Sequence, residues 1–490
     1  MRHSLGIANW TDIIHLICAQ LADDLRSIYS LALCSRLYSS VALPALYSHL
    51  NKFPADYDDE DRLAEDPTAY TQRLTRWSSL WKTLAHSSMT PRTTTINYAA
   101  ALRVLNLRDL SSLMEEFGKH FGQTARAEFF NAGLEEYNKT RVMSVGKKNG
   151  QIFDWQVSAD YLTDLIVRET RNVTMLIRQT TLPDHLHLWL ENTPSLEALQ
   201  MFSGAPLGDE RAVKALRGCP NFQSLELYYW PPQMIVGAMG DPDGLLARVL
   251  GSMTGGLKRL VIKNGGVCFS ELTLSALATY HGKSLLELEV VDLLPDCFYA
   301  LGLAPEITNL RTCSLQVDGL YQAFASDEHF TAVSEFFARN TSLETLNLGI
   351  PVVAKVLGTS LKSLHLNHLS ITDISDDIIP DSFWPSISSQ ASSLETLILD
   401  SKYRYFDLNL VPEEMLQAIC LLHKLKTLIV SGFYPLVTDE DVGKIVDNCP
   451  DIEELSLASP TLSDHTLHHL CKLQRLRIFN NRLVSLIIFT

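Results

Sequence analysis

Three groups of residues have the types that do chemistry. His465, His468, His469 and Cys471 lie close together, and imidazole nitrogens and thiolates are common zinc donors. No second cysteine pair or acidic ligand set accompanies them, and the stretch has helical spacing. Surface histidines beside a core cysteine are therefore expected, with no metal. His281-Gly282-Lys283-Ser284 ends like a phosphate-binding loop, but position 277 is leucine, where that loop needs its first glycine. Asp184-His185 with His187 is a third, weaker group. No Gly-x-Ser-x-Gly elbow and no His-Glu-x-x-His pair occurs in the chain. Such a chain is expected to be no enzyme and to hold no cofactor. Two further thiols, in Cys219-Pro220 and Cys449-Pro450, precede similar segments at matching places, as small buried side chains at tight turns would.

The elements behind these residues come from a repeat. Leucine, two residues, leucine, one residue, then leucine or another apolar residue recurs as SLETLNLGI from Ser342, SLETLILDSK from Ser393 and KLKTLIVSGF from Lys424. The first anchors of the copies are Leu196, Phe222, Leu257, Leu285, Leu310, Leu343, Leu361, Leu394, Leu425, Ile452 and Leu473. Their mean spacing is about 28 residues, within the leucine-rich-repeat range, and the uneven intervals imply loop insertions. A copy at Leu102 stands apart upstream. Apolar residues at the third and fifth places after the anchor share one face of a short strand, because strand side chains alternate. One strand cannot bury that face alone, so neighbours stack over a common core. Between strands the apolar spacing is helical, as at Val442, Ile445 and Val446 before Pro450. The fold class expected is α/β, a leucine-rich-repeat solenoid with a curved parallel sheet and outer helices, over residues 101–490 and clearest over 194–480.

The chain has 490 residues, 46% hydrophobic and 20% charged, which is too long for one ordinary core and typical of folded proteins. A net charge of −15 gives no general attraction to phosphate backbones or anionic lipid, so neither nucleic acid nor membrane is an expected partner. Met1 to Trp10 contains no signal-peptide core, and no stretch has the apolar length of a membrane span. The nine cysteines include no C-x-x-C pair, which suits thiols in a reducing compartment, cytoplasmic or nuclear.

Residues 8–50 carry a different pattern. Ile13, Ile14, Ile17 and Leu21 have helical spacing, and a second apolar set follows at Ile28, Leu31, Ala32 and Leu37. Leu43-Pro44 then introduces a third piece. With Cys34-Ser35-Arg36-Leu37 and Ala42-Leu43-Pro44-Ala45-Leu46-Tyr47, this stretch resembles the F-box of fungal F-box/leucine-rich-repeat proteins. The chain around Leu74 to Leu84 and Leu102 to Leu110 is similar to the segment after the F-box in that family. The family opens its first helix with leu-pro-x-glu-ile, whereas the stretch here is Asn9-Trp10-Thr11-Asp12-Ile13. The resemblance implies a small all-α module that binds a Skp-type adaptor and through it the cullin of an SCF-type ubiquitin ligase. The repeats would hold the protein to be ubiquitinated. Adaptor contact is carried over to Ile13, Ile14, Ile17, Leu21, Leu31, Leu37, Leu43 and Pro44, some of which must instead be helix core. A plain three-helix cap on the open end of the stack is the alternative. Residues 51–100 hold the acidic run Asp56-Tyr57-Asp58-Asp59-Glu60-Asp61, expected to be a solvated linker leading to connecting helices.

A ligand is expected on the concave sheet face, at the second, fourth and sixth places after each anchor. Those places point to Asn347, His365, Asn367, Asp400, Glu454, Arg475, Arg477 and Phe479 as target-binding candidates. Their mixed, mostly small or polar character suits a protein or peptide better than nucleic acid. The rival functions are a leucine-rich-repeat scaffold or inhibitor outside the ubiquitin system, and a regulator of a small GTPase, for which no catalytic arginine stands out.

Overall fold

The computed structural model describes residues 6–21, 24–48, 67–89, 94, 97–119, 122–145, 148–178, 185–230, 241–264, 270–293, 295–317, 327–350, 353–372, 379–400, 413–431, 437–457 and 462–481. The chain forms two compact units, Met1–Glu226 with Ser252–Gly255 and Leu227–Gly251 with Gly256–Thr490.

The first unit opens with helices α1 (Gly6–Gln20), α2 (Leu25–Cys34) and α3 (Arg36–Ser48). Ile14 and Cys18, one helical turn apart, bury with Ile28, Ala32, Val41, Ala42 and Leu46 in a small core. Asp24 starts α2 by accepting the Ser27 N–H at 3.0 Å. The expected break at Leu43-Pro44 is corrected: α3 runs through Pro44, whose nitrogen cannot donate the helical hydrogen bond. Helix α4 (Pro67–Ser88) sets Trp77 and Trp81 one turn apart, and both indoles donate to Asp109 Oδ2, at 2.8 and 2.6 Å. Tyr70 of the same helix donates its hydroxyl to Glu116.

Strand β1 (Val104–Asn106) carries the Leu102 copy of the repeat. Next in the chain, β2 (Thr140–Val145) and β3 (Lys148–Phe153) form a separate antiparallel hairpin. Strand β4 (Met175–Arg178) pairs in parallel with β1, and β5 (Ala198–Ser203) in turn with β4. The Leu102 copy is thus not isolated. Val173, Leu176 and Arg178 make the copy beside it, with arginine in the last apolar place, which hides it from a search for leucine. The division between units falls within β6 (Ser224–Tyr229).

The second unit contains β7 (Arg259–Ile262), β8 (Glu287–Leu293), β9 (Thr312–Val317), β10 (Thr345–Gly349), β11 (His368–Thr372), β12 (Thr396–Asp400), β13 (Thr427–Ser431), β14 (Glu454–Leu457) and β15 (Ile478–Asn481). Each pairs in parallel with the next in chain order. Leu346, Leu369, Leu397, Leu428 and Leu455 stand in one inner row, strand beside strand, all fully buried. A second buried row holds Leu348, Ile371, Leu399, Val430 and Leu457. Helices between strands cover this spine, as Asp439–Asn448 does after a Thr438–Asp441 capping box. The fold is α/β and leucine-rich-repeat-like: parallel strands flanked by helices, stacked repeat on repeat.

Backbone bonds fix the register. The residue after each anchor donates its N–H to its counterpart one repeat earlier: Asn367 to Glu344, Glu395 to Asn367, Lys426 to Glu395, Glu453 to Lys426 and Arg477 to Glu453, at 2.7–2.9 Å. Two expected anchors are corrected by this ladder. In SLKSLHLNHLSI two overlapping leucine phrases compete, and the strand follows Leu366, not Leu361, which lies in a 3-10 turn at Leu361–Ser363. In the last copy the anchor is Leu476 rather than Leu473, because Phe479 pairs with Leu455.

Polar side chains at the ends of the covering helices tie successive repeats together. Buried Asn340 accepts the anchor N–H of Leu310 at 3.1 Å and donates to Ile307 O at 3.0 Å. Gln390 accepts from Leu366 N at 3.0 Å and donates to Leu361 O at 2.7 Å. His281 does the same work: Nδ1 accepts the Leu257 N–H at 3.0 Å, and Nε2 lies 2.9 Å from Leu250 O. The loop-like His281-Gly282-Lys283-Ser284 is therefore a helix end. A Cβ on Gly282 would meet Ala278 O at 2.6 Å and the Glu306 backbone at 2.8 Å, so closeness of chain explains that glycine. Cys219 and Cys449 are buried at equivalent helix ends, where Cys449 Sγ reaches Ile419 O and Leu422 O at 3.5 Å.

Candidate interaction surfaces

Among the described residues, large exposed apolar side chains gather on the N-terminal helices. On α1, Trp10, Ile13, Leu16 and Ile17 recur at helical spacing beside the core stripe of Ile14 and Cys18. Leu16 is 66% exposed and Ile17 40%, against 1% for Ile14. Tyr29 and Leu33, one turn apart on α2, and Leu37 at the start of α3 are exposed as well. A folded module rarely leaves so many large apolar groups to water unless they meet a partner.

The eight adaptor candidates therefore separate. Ile13, Ile17 and Leu37 face solvent. Ile14 is core, while Leu21, Leu31 and Leu43 are half-buried and pack on it. Pro44 is half-buried within α3. Trp10, Leu16, Tyr29 and Leu33 were missed, although the turn-by-turn spacing of Ile13, Leu16 and Ile17 is visible in the sequence.

In the second unit the outward face is read from the corrected register. Its first row holds Thr345, His368, Thr396, Thr427 and Glu454 as neighbours. Its second holds Asn347, Ser370, Ile398, Ile429 and Ser456. Before them come Thr312 and Ser314 on β9, and then Glu287 and Glu289 on β8. These last two form ion pairs with Arg259 at 2.9 Å and Lys263 at 2.5 Å.

Asn347 and Glu454 lie on this face, half-buried, and Asp400 ends β12, where it accepts the Ser431 hydroxyl at 2.7 Å. The rest of the target-binding set moves. His365 precedes β11, exposed, and the histidine on the face is His368, whose pKa burial lowers. Asn367 belongs to the backbone ladder at the strand's entrance. Arg475 pairs with Asp451 at 3.0 Å and Arg477 with Glu453 at 3.4 Å, both before the strand face begins. Phe479 occupies the inner row beside Leu455. All of these shifts follow from the two slipped anchors.

The chemical clusters resolve in the same way. No group of three or more His, Cys, Asp or Glu with metal-binding arrangement occurs among the described residues. His465 and His468 are exposed on the helix Asp464–Leu470, and Cys471, expected in the core, is exposed too, because it follows the helix's last turn. His185 Nδ1 lies 2.9 Å from Asp164, which also accepts the Trp189 indole at 2.6 Å; Asp184 lies outside the described residues. No described helix is long and apolar enough to cross a membrane.

No protein-family model and no curated protein matches the chain. Among solved structures it is similar to a chain of the yeast Rad7 and Elc1 complex, with 16% identity over 84% of this chain and 91% of that one, at a TM-score of 0.45. A Bacteroides fragilis protein is similar at 13% identity over 74% of this chain and 82% of its own, at a TM-score of 0.27.

Proposed function

We propose that this protein is the non-enzymatic, target-holding subunit of an SCF-type ubiquitin ligase. Its N-terminal helices form an F-box-like module that docks a Skp-type adaptor, and through it a cullin; its repeats hold a target protein. The observation that carries this reading is the exposed apolar stripe of α1, Trp10, Ile13, Leu16 and Ile17, on a module that already has its own closed core. A cap serving only to close the stack would turn such side chains inward. Holding the target beside the charged enzyme raises its effective concentration, and that is the subunit's whole contribution to rate.

The test is binding of a purified Skp-type adaptor to the whole protein, measured by calorimetry. The Ile13→Asp/Ile17→Asp variant is expected to lose binding at least about a hundredfold, two hot-spot truncations' worth, with its melting temperature unchanged because both side chains are exposed. An intact protein that binds no adaptor would leave the scaffold or inhibitor reading in its place.

A further inference from the structure

We propose that the target segment held by the repeats is an extended peptide that is uncharged where it crosses β9 to β13, a deepening that rests on the target-holding role above. Over these five strands neither outward row contains an Asp, Glu, Lys or Arg. Charge returns on both sides, as the ion-paired Glu287 and Glu289 on β8 and as Glu454 on β14. Asp400, one row further along β12, is the charged side chain that ends this span and accepts the Ser431 hydroxyl at 2.7 Å. In a chain with net charge −15 and 20% charged residues, two half-exposed rows free of charge have a physical consequence. A lysine or aspartate of the ligand seated on these two rows would leave water and find no counter-charge in either row, the nearest flanking charges being Asp400 and the Glu395–Lys426 pair at 2.7 Å, so charged segments are disfavoured there.

What the strip offers instead is complementary to a neutral backbone. Thr345, Thr396 and Thr427 present hydroxyls that both donate and accept, and Ile398 and Ile429 give apolar contact in the row beside them. Asn347 Oδ1 is buried and has no hydrogen-bond partner among the described residues. Rotation of that amide about χ2 turns either its oxygen or its nitrogen to an incoming peptide group. Five strands about 4.8 Å apart span about 19 Å, which an extended chain rising about 3.3 Å per residue crosses in about six residues. His368 is the one histidine in these rows, and burial lowers its pKa, which favours the uncharged ring.

A library of random peptides about twice that length, displayed and panned on the whole protein, tests the proposal. Enriched peptides should share an uncharged core of about six residues, and one Lys or Asp placed in that core should weaken binding at least about tenfold. Ile398→Asp should abolish binding of the selected peptides at unchanged melting temperature, and a Lys-bearing core should regain it. Enriched cores that carry charge, failure to enrich any peptide, or equal binding by Ile398→Asp would overturn it. Adaptor binding is read separately on α1, so failure here leaves that result standing and the reverse also holds.

Discussion

Arg178 stands where the repeat calls for leucine, and its replacement gives a sharp test of how the first unit is held. Its side chain is 0% exposed, its guanidinium lies 4.2 Å over the Trp189 ring, and Asp160, itself buried, is 4.0 Å away. Burial pulls the arginine pKa down to about 10, with Asp160 and Asp164 opposing that pull. Arg178→Met keeps most of the apolar stem but takes the opposing guanidinium charge away from buried Asp160, and breaking a buried pair from one side costs about 3–5 kcal/mol. Adding Asp160→Asn removes the buried negative charge as well, so the double variant should return to within about 1–2 kcal/mol of the parent. Urea unfolding followed by circular dichroism measures both. Because the chain has two units, hydrogen exchange over β4 and the helix Trp155–Val167 should locate the loss in the first. A single variant with an unchanged midpoint, or a double variant no better than the single, would refute the buried pairing.

Three further outcomes are expected. His281 must be neutral in the folded protein, since Nδ1 accepts the Leu257 N–H, and burial lowers its pKa below the ordinary value. Its contribution is therefore full above about pH 6.5 and fades as the pH falls toward the lower folded pKa, where the unfolded chain already binds the proton. His281→Gln, copying Gln390, should fold and show a shallower acid loss in thermal melts than the parent; superimposable profiles would count against the role. Asp109→Ala removes the acceptor of two indoles and should cost about 2–4 kcal/mol with a shift in tryptophan emission, an unchanged melt being the contrary result. In native protein a maleimide should label exposed Cys34 and Cys471 and spare Cys313 and Cys449, whose thiols burial pushes up to about 12; early labelling of Cys313, read by mass spectrometry, would contradict the packing.

The repeat was legible because its inner rows admit little but leucine. Leu346, Leu397, Leu428 and Leu455 lie where the phrase places them. The register failed only where the phrase overlaps itself. Both Leu361 and Leu366 end up fully buried, so apolarity cannot choose between them, and the choice is made by backbone bonds that Gln390 completes. At the last copy the position paired with Leu457 is Asn481, where the phrase calls for an apolar residue, which made the earlier phrase look better than the true one. On α1 the pattern showed that Ile13, Ile14 and Ile17 share a broad face, but not which of them α2 and α3 cover. That depends on packing angles no single helix encodes.

The same separation explains why the proposed target would be hard to read from the chain. The buried rows and the ladder at each strand's entrance fix the stack whatever stands outward, so the outward rows change without cost to the fold. An arginine can even replace an inner leucine at position 178 when Asp160 and Trp189 are there to receive it. Stability therefore constrains the leucines, and on the proposed reading recognition falls to threonines, serines and isoleucines that any repeat tolerates. If the uncharged strip had arisen without use, its loss should be free. A charge at position 398, in the middle of the outward face and away from the spine, should then alter neither folding nor binding. An unchanged fold with abolished peptide binding is the combination that only a working recognition surface produces.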